Sequence, residues 1–201
     1  MDGIMRKLLR VIMVCIILLM GATEKSFGYN QGESSQPLNG KSQLEREYDF
    51  MDAINHDRDI STVSLNLIAK TSEKNEWSFY KGITITRPEG EIDYKGEILE
   101  STAFGIGPIG LARYKLREFE ILSIHFDMSG ALIFYNEKFP AGGRHYNFMW
   151  RIGPKFIYRI SENFIFNLGY KLMHISNGSL SGYHNPAYDS KGFSLCLVKL
   201  F

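Results

Sequence analysis

The stretch YNFMWRIGPKFIY, Tyr146–Tyr158, decides the fold. Its even positions carry Tyr146, Phe148, Trp150, Ile152, Phe156 and Tyr158, whereas its odd positions include Asn147, Arg151, Gly153 and Lys155. Residues two apart on a strand share a face, so one face is apolar and the other polar. That is the unit of a transmembrane β-barrel, apolar toward lipid and polar toward a lumen. Only Arg159-Ile160-Ser161-Glu162 then intervenes before the pattern returns, a tight turn of the kind found on the periplasmic side. The returning segment puts Phe164, Phe166, Leu168, Tyr170 and Leu172 on one face and Asn167, Gly169 and Lys171 on the other.

Working outward, further alternating segments are Ile60 to Lys70, Trp77 to Arg87, Ser101 to Lys115, Glu118 to Phe126, Ala131 to Tyr135 and Gly192 to Phe201. With the two above, the tally is about eight, the smallest common barrel size. The fold expected is all-β, an eight-stranded antiparallel transmembrane β-barrel. Pro108 interrupts one segment and Glu118 to Phe126 has mixed faces. Gly105, Gly107 and Gly110 suit a wall that bends. Trp77, Tyr114, Tyr146 and Tyr158 stand at strand ends, where aromatic girdles form. A soluble lipocalin-like barrel would reverse the faces and point its aromatics inward around a ligand. Arg151, Lys155 and Lys171 on the inner face speak against that reversal, and a closing Phe201 on an apolar last strand resembles the assembly signal of outer-membrane barrels.

Before the barrel, Arg6, Lys7 and Arg10 precede the apolar run Val11 to Met20 and the small residues Gly21 and Ala22. At roughly 10 residues that run is too short to span a bilayer and has the order of a secretory signal. The expected organisation is a signal peptide over 1–28, cleaved after Ala22 or Gly28, a polar lead-in over 29–58, and the barrel over 59–201. Cys15 would leave with the signal, so Cys196 alone gives no internal disulfide. A net charge of +1 over 201 residues supplies no general attraction to nucleic acid, and none is expected as a partner.

The chemistry lies near the C-terminus. Two further steps along the apolar face from Leu172 reach His174 and Ser176, with Cα atoms roughly 6.5 to 7 Å apart, close enough for general-base activation of a serine. A third group must orient the imidazole, and Asp189, brought back by the loop before the last strand, is the next acidic residue. A developing oxyanion would need donors, for which the Asn185 side chain or the backbone around Asn177 and Gly178 are candidates. Taken alone, a His-x-Ser spacing is common, and Asn185 and Asp189 beside Pro186 equally suit a turn. His56, His125, His145 and His184 have no zinc-like spacing, and no phosphate or dinucleotide loop occurs, so neither metal nor cofactor is expected. Lys138, Arg144 and Lys191 fall near the rim that carries the longer loops, where cations could meet phosphates.

The run HISN, His174 to Asn177, followed by NPAYDS, Asn185 to Ser190, resembles the PagL-type lipid A 3-O-deacylase family. The resemblance implies Ser176 as nucleophile, His174 as base and Asn185 as oxyanion donor. The family's acidic member is usually Glu; here Asp189 stands there, after a loop about one residue longer. The resemblance extends loosely from Gly105 to Phe201. It implies a serine esterase of the bacterial outer membrane that removes the 3-O-linked acyl chain of lipid A in lipopolysaccharide, without a cofactor, with a homo-oligomer left open. The competing expectation is a non-catalytic small barrel that stabilises the membrane or binds surface ligands.

Overall fold

The computed structural model describes residues 44–55, 57–94, 96–161, 164–178 and 186–199. The strands are β1 (Leu44–Ala53), β2 (Arg58–Lys74), β3 (Trp77–Tyr94), β4 (Glu97–Glu100), β5 (Gly105–Glu118), β6 (Leu122–Phe139), β7 (Arg144–Arg159), β8 (Phe164–Ser176) and β9 (Tyr188–Lys199). All pairings are antiparallel, and because β1 pairs both β2 and β9 while β2 pairs β3, eight strands close on themselves. Closure leaves no open edge in the ring, the condition for crossing lipid with strands. Short β4 is extra, pairing only the far end of β3 from Glu91 to Tyr94. One end of the ring carries the tight turns after β2, β5 and β7; the other carries the connections after β1, β3, β6 and β8. These are called the turn end and the loop end.

Period-2 alternation decides which side chains face where. On β7 and β8, Phe148, Trp150, Phe156, Tyr158, Leu168, Tyr170 and Leu172 are exposed on the outer wall, while Arg151, Lys155, Asn167 and Lys171 are buried inside. This is the inverse of a soluble barrel and fits a wall bathed in hydrocarbon. The faces therefore bear out the transmembrane barrel and exclude the lipocalin-like reversal. Trp77 packs on Tyr114 at the turn end with ring centroids 4.9 Å apart. A test follows from Leu168, in the turn-end half of β8 and outward. Leu168→Arg should cost about 2 to 4 kcal/mol in urea-dependent folding into vesicles. Asn167→Thr, one residue away but inward, should cost less than about 1 kcal/mol, since its amide has no hydrogen-bond partner among the described residues. Equal costs would show that the two faces are not in different media.

The lumen is a packed core rather than a pore. Toward the loop end, Met51, Ile60, Ile92, Ile133, Tyr135, Phe139, Met149, Met173, Ile175 and Tyr188 form an apolar plug. Deeper lies a buried ionic network. Arg113 grips Glu45 through two bonds of 2.8 and 3.0 Å and Asp127 at 2.8 Å. Lys155 pairs Glu47 and Asp127, the latter at 3.2 Å. Lys171 pairs Glu47 and Asp49, the latter at 3.1 Å, and Arg151 reaches Asp49 at 3.2 Å. Four carboxylates thus face four cations, so removing them from water leaves no uncompensated charge.

Three sequence expectations are corrected. The barrel takes in β1, which falls inside the stretch read as a polar lead-in over 29–58. Its charges look like a solvated segment, yet Glu45, Glu47 and Asp49 alternate with outward Arg46, Tyr48 and Phe50 and point into the lumen. The segments Glu118 to Phe126 and Ala131 to Tyr135 belong mostly to the single strand β6, in which buried Asp127 answers lumen cations instead of marking a turn. The last strand starts at Tyr188 rather than Gly192, so Asp189 lies within a ladder and not in a loop. The signal segment, the lead-in before Leu44, and Phe201 lie outside the described residues.

Two Gly-Pro pairs interrupt the ladders of the wall. A Cβ on Gly107 would meet the Leu132 carbonyl at 1.8 Å, and one on Gly153 would meet the Tyr170 carbonyl at 1.9 Å. Next to each, Pro108 and Pro154 face outward without an N–H to donate, and the β5–β6 and β7–β8 ladders skip these residues. Glycine allows the close approach and proline sits where no ladder bond is made.

Candidate active site on the outer wall

β8 ends at the loop end with His174 and Ser176 outward and Ile175 between them fully buried in the apolar plug. The buried isoleucine fixes the strand's rotation, so the two polar side chains cannot turn inward without exposing it. On the outer face of β8 the apolar series ends at Leu172, and His174 is the first polar residue above it. The neighbouring strands change one outward residue lower, from Phe193 to Lys191 on β9 and from Phe50 to Asp52 on β1, with Lys191 opposite Leu172. The pair therefore stands where hydrocarbon gives way to a polar layer.

Register brings the third group. His174 lies directly opposite Asp189 of β9, and its Nδ1 is 2.8 Å from Asp189 Oδ1. On its other side His174 is opposite Trp150 of β7, whose ring stacks on the imidazole with centroids 5.5 Å apart and planes 23° from parallel. The imidazole is thus held edgewise by a carboxylate and faced by an indole across three adjacent strands. With Nδ1 engaged as donor, Nε2 is the nitrogen free to accept a proton. Ser176 sits one step further along the same face, half-buried, opposite Phe148.

A second pair of the same spacing shows what spacing alone lacks. Ser123 and His125 on β6 are bonded, Oγ to Nε2, at 2.8 Å, near the turn end. The carboxylate two residues on, Asp127, is occupied by Arg113 and Lys155. Of these two pairs, the His174 pair alone has a carboxylate without a cation on it among the described residues.

The remaining candidates divide. Asn177 follows Ser176 but its side chain is buried, on the opposite face of the strand from the serine. Gly178 takes φ 67°, turning the chain off the strand direction directly beyond the serine. Asn185 and His184 lie outside the described residues, as does His56. Lys191 is outward, two residues along β9 from Asp189 and opposite Leu172. At the loop end Lys138 is exposed on β6, two strands from β8, and Arg144 is half-buried at the start of β7, the strand next to β8. Among the described residues no three His, Cys, Asp or Glu side chains are grouped so as to hold a metal. Sequence reasoning did not single out Trp150 as a site residue, because its place beside His174 is set by the β7–β8 register, which period alone does not reveal.

A closed barrel with an apolar outer wall and a serine, histidine and carboxylate at its rim defines an integral membrane β-barrel with the makings of a hydrolase. The family model for lipid A 3-O-deacylase (PagL) matches residues 62–197, from within β2 to near the end of β9. The chain belongs to that family, whose members act on lipid A in the outer membrane, and the bacterial outer membrane is its location. Among solved structures it is similar to the crystal structure of the outer membrane enzyme PagL, at 9% identity and a TM-score of 0.52, over 77% of this chain and 97% of that one. It is also similar to the crystal structure of Neisserial surface protein A, at 10% identity and a TM-score of 0.45, over 79% of this chain and 96% of that one. Among curated proteins none matches.

Proposed function

We propose that this protein removes the 3-O-linked acyl chain of lipid A through a Ser176-His174-Asp189 triad. The observation that carries the reading is the 2.8 Å contact between His174 and Asp189, beside Ser176, at the upper margin of the apolar wall. A lipid whose sugar sits in the polar layer and whose acyl chains lie in hydrocarbon places its ester bonds at that height. Ser176 Oγ attacks the ester carbonyl and gives its proton to His174 Nε2. As the tetrahedral intermediate collapses, His174 returns that proton to the leaving 3-hydroxyl of the sugar, leaving an acyl-serine. Water, deprotonated by the same imidazole, then releases the fatty acid and restores the serine. Asp189 holds the imidazole in the Nδ1–H tautomer and stabilises the imidazolium. Phe148, Trp150 and Leu172 line the wall along which the acyl chain descends, and Lys191 offers a cation to a headgroup phosphate. Asn185 and the backbone at Asn177 and Gly178 are the donors proposed for the oxyanion.

Mass spectrometry of lipid A from cells with and without the protein tests this. The expected result is a lower mass corresponding to one 3-linked acyl chain. Identical lipid A in the two strains, with a folded barrel in the outer membrane, would leave a non-catalytic barrel as the better account. Asp189→Ala should fold, shown by its faster gel mobility before heating, and lose on the order of 10^3- to 10^4-fold in deacylation rate. Full activity in that variant would remove Asp189 from the triad.

A further inference from the structure

We propose that Arg58 is a positioning residue that holds Asp189 against His174 from across the loop end of the barrel. The inference rests on the triad reading above. Arg58 opens β2, its side chain is only 14% exposed, and it lies just outside residues 62–197 matched by the family model. Its Nη1 donates to the Ala187 carbonyl and lies 3.5 Å from the Pro186 carbonyl, while Nε faces Asp57 at 3.5 Å.

The position of those carbonyls gives the contact its meaning. The β8–β9 ladder ends at Ile175 opposite Tyr188, so Asp189 is one residue from the free end of its strand. Strand ends open more readily than their middles. Aspartate has a short side chain, and a backbone displacement of about 1 Å is enough to lower a catalytic rate by about 100-fold. Arg58 binds the two residues beyond the last ladder pair, where fraying would begin. Two other contacts, one from β2 and one from the residue that follows β1, fix the same segment. The Tyr188 hydroxyl shares a 2.6 Å bond with Thr62 Oγ1 in the core, and Ile54 N–H donates to the Asp189 carbonyl at 2.9 Å. With Tyr188 locked inward, alternation forces Asp189 outward, and Arg58 prevents the slip of one residue that would exchange them. Its guanidinium suits the task because one planar group can address adjacent carbonyls.

The test compares Arg58→Met and Arg58→Lys in wild-type and Asp189→Ala backgrounds, using full-length protein folded in detergent and lipid A as substrate. Folding of each variant is read from its gel mobility before heating. Arg58→Met should lower kcat about 10- to 100-fold with KM changed less than about twofold. Arg58→Lys, which keeps a donor of similar reach, should recover most of the loss. In the Asp189→Ala background Arg58→Met should change kcat less than about twofold, because both changes disable the same contact. An equal loss in both backgrounds overturns the proposal. A second readout does not need turnover: in protein carrying 15N-labelled histidine, the hydrogen-bonded Nδ1–H resonance of His174 should be present in the wild type and in Arg58→Lys and lost to solvent exchange in Arg58→Met. Its persistence in Arg58→Met overturns the proposal too. A wild-type protein that shows this behaviour without cleaving lipid A would refute the esterase reading while leaving the positioning role of Arg58 standing.

Discussion

Ser176→Ala and His174→Ala are each expected to reduce release of the 3-linked acyl chain to background, a loss on the order of 10^6-fold if the residues act as other serine hydrolase pairs do. Both side chains are outward and partly exposed at the rim, and neither contributes to the apolar plug or the ionic network of the lumen. Truncating them to methyl leaves no buried group unpaired, so both variants should fold and insert like the parent. The double variant should be hardly worse than either single one, since removing the nucleophile or its base disables the same step. Lipid A turnover in vesicles measures the rates, and gel mobility before heating measures folding. Wild-type turnover by folded Ser176→Ala would refute the serine mechanism outright. Loss in His174→Ala alone would move the chemistry to a histidine-activated water.

Where the site was legible, it was legible through period. From Phe164 onward, alternate residues lead without interruption to His174 and Ser176, and the structure keeps all of them on one face. Asp189 was found in the sequence as the next acid, yet the reason it meets His174 was not visible there. It meets it because β9 begins four residues earlier than its apolar pattern suggests, which turns a loop residue into a cross-strand partner. Trp150 and Arg58 were out of reach for the same reason. Both act through register, with partners 24 residues away for Trp150 and more than 100 for Arg58, and register depends on turn geometry and packing that a single strand's pattern does not encode.

The fold was legible where the lumen is polar by single residues, as on β7, and obscure where charges crowd one strand. β1 reads as solvated because Glu45, Arg46, Glu47 and Asp49 lie together. Their counterparts Arg113, Arg151, Lys155 and Lys171 are spread over β5, β7 and β8. Only once the ring closes does the acidic face of β1 meet the basic faces opposite. The total of eight barrel strands came out right although two errors stood behind it, since splitting β6 added one strand and overlooking β1 removed one.

That complementarity predicts a stability effect with a sign reversal. Glu47 is buried between Lys155 and Lys171. Glu47→Leu would leave both lysines in the lumen with half their partners, Asp127 for Lys155 and Asp49 for Lys171, and one uncompensated positive charge in the network. Removing one member of a buried ion pair typically costs about 3 to 5 kcal/mol, and that is the loss expected in urea-dependent folding into vesicles. Adding Lys155→Met should restore much of it, because three carboxylates would then face three cations, with Lys171 still on Asp49 and Asp127 still on Arg113. The second substitution, made alone, should destabilise, whereas made after the first it should stabilise. β1 also pairs β9 from Glu47 through Ala53, next to Asp189, so a barrel weakened at Glu47 should lose deacylase activity at a lower urea concentration than the parent, and the double variant should regain it. If Glu47→Leu and Lys155→Met were additive losses, the network would not be acting as a charge-balanced unit, and the lumen would be held by its apolar plug alone.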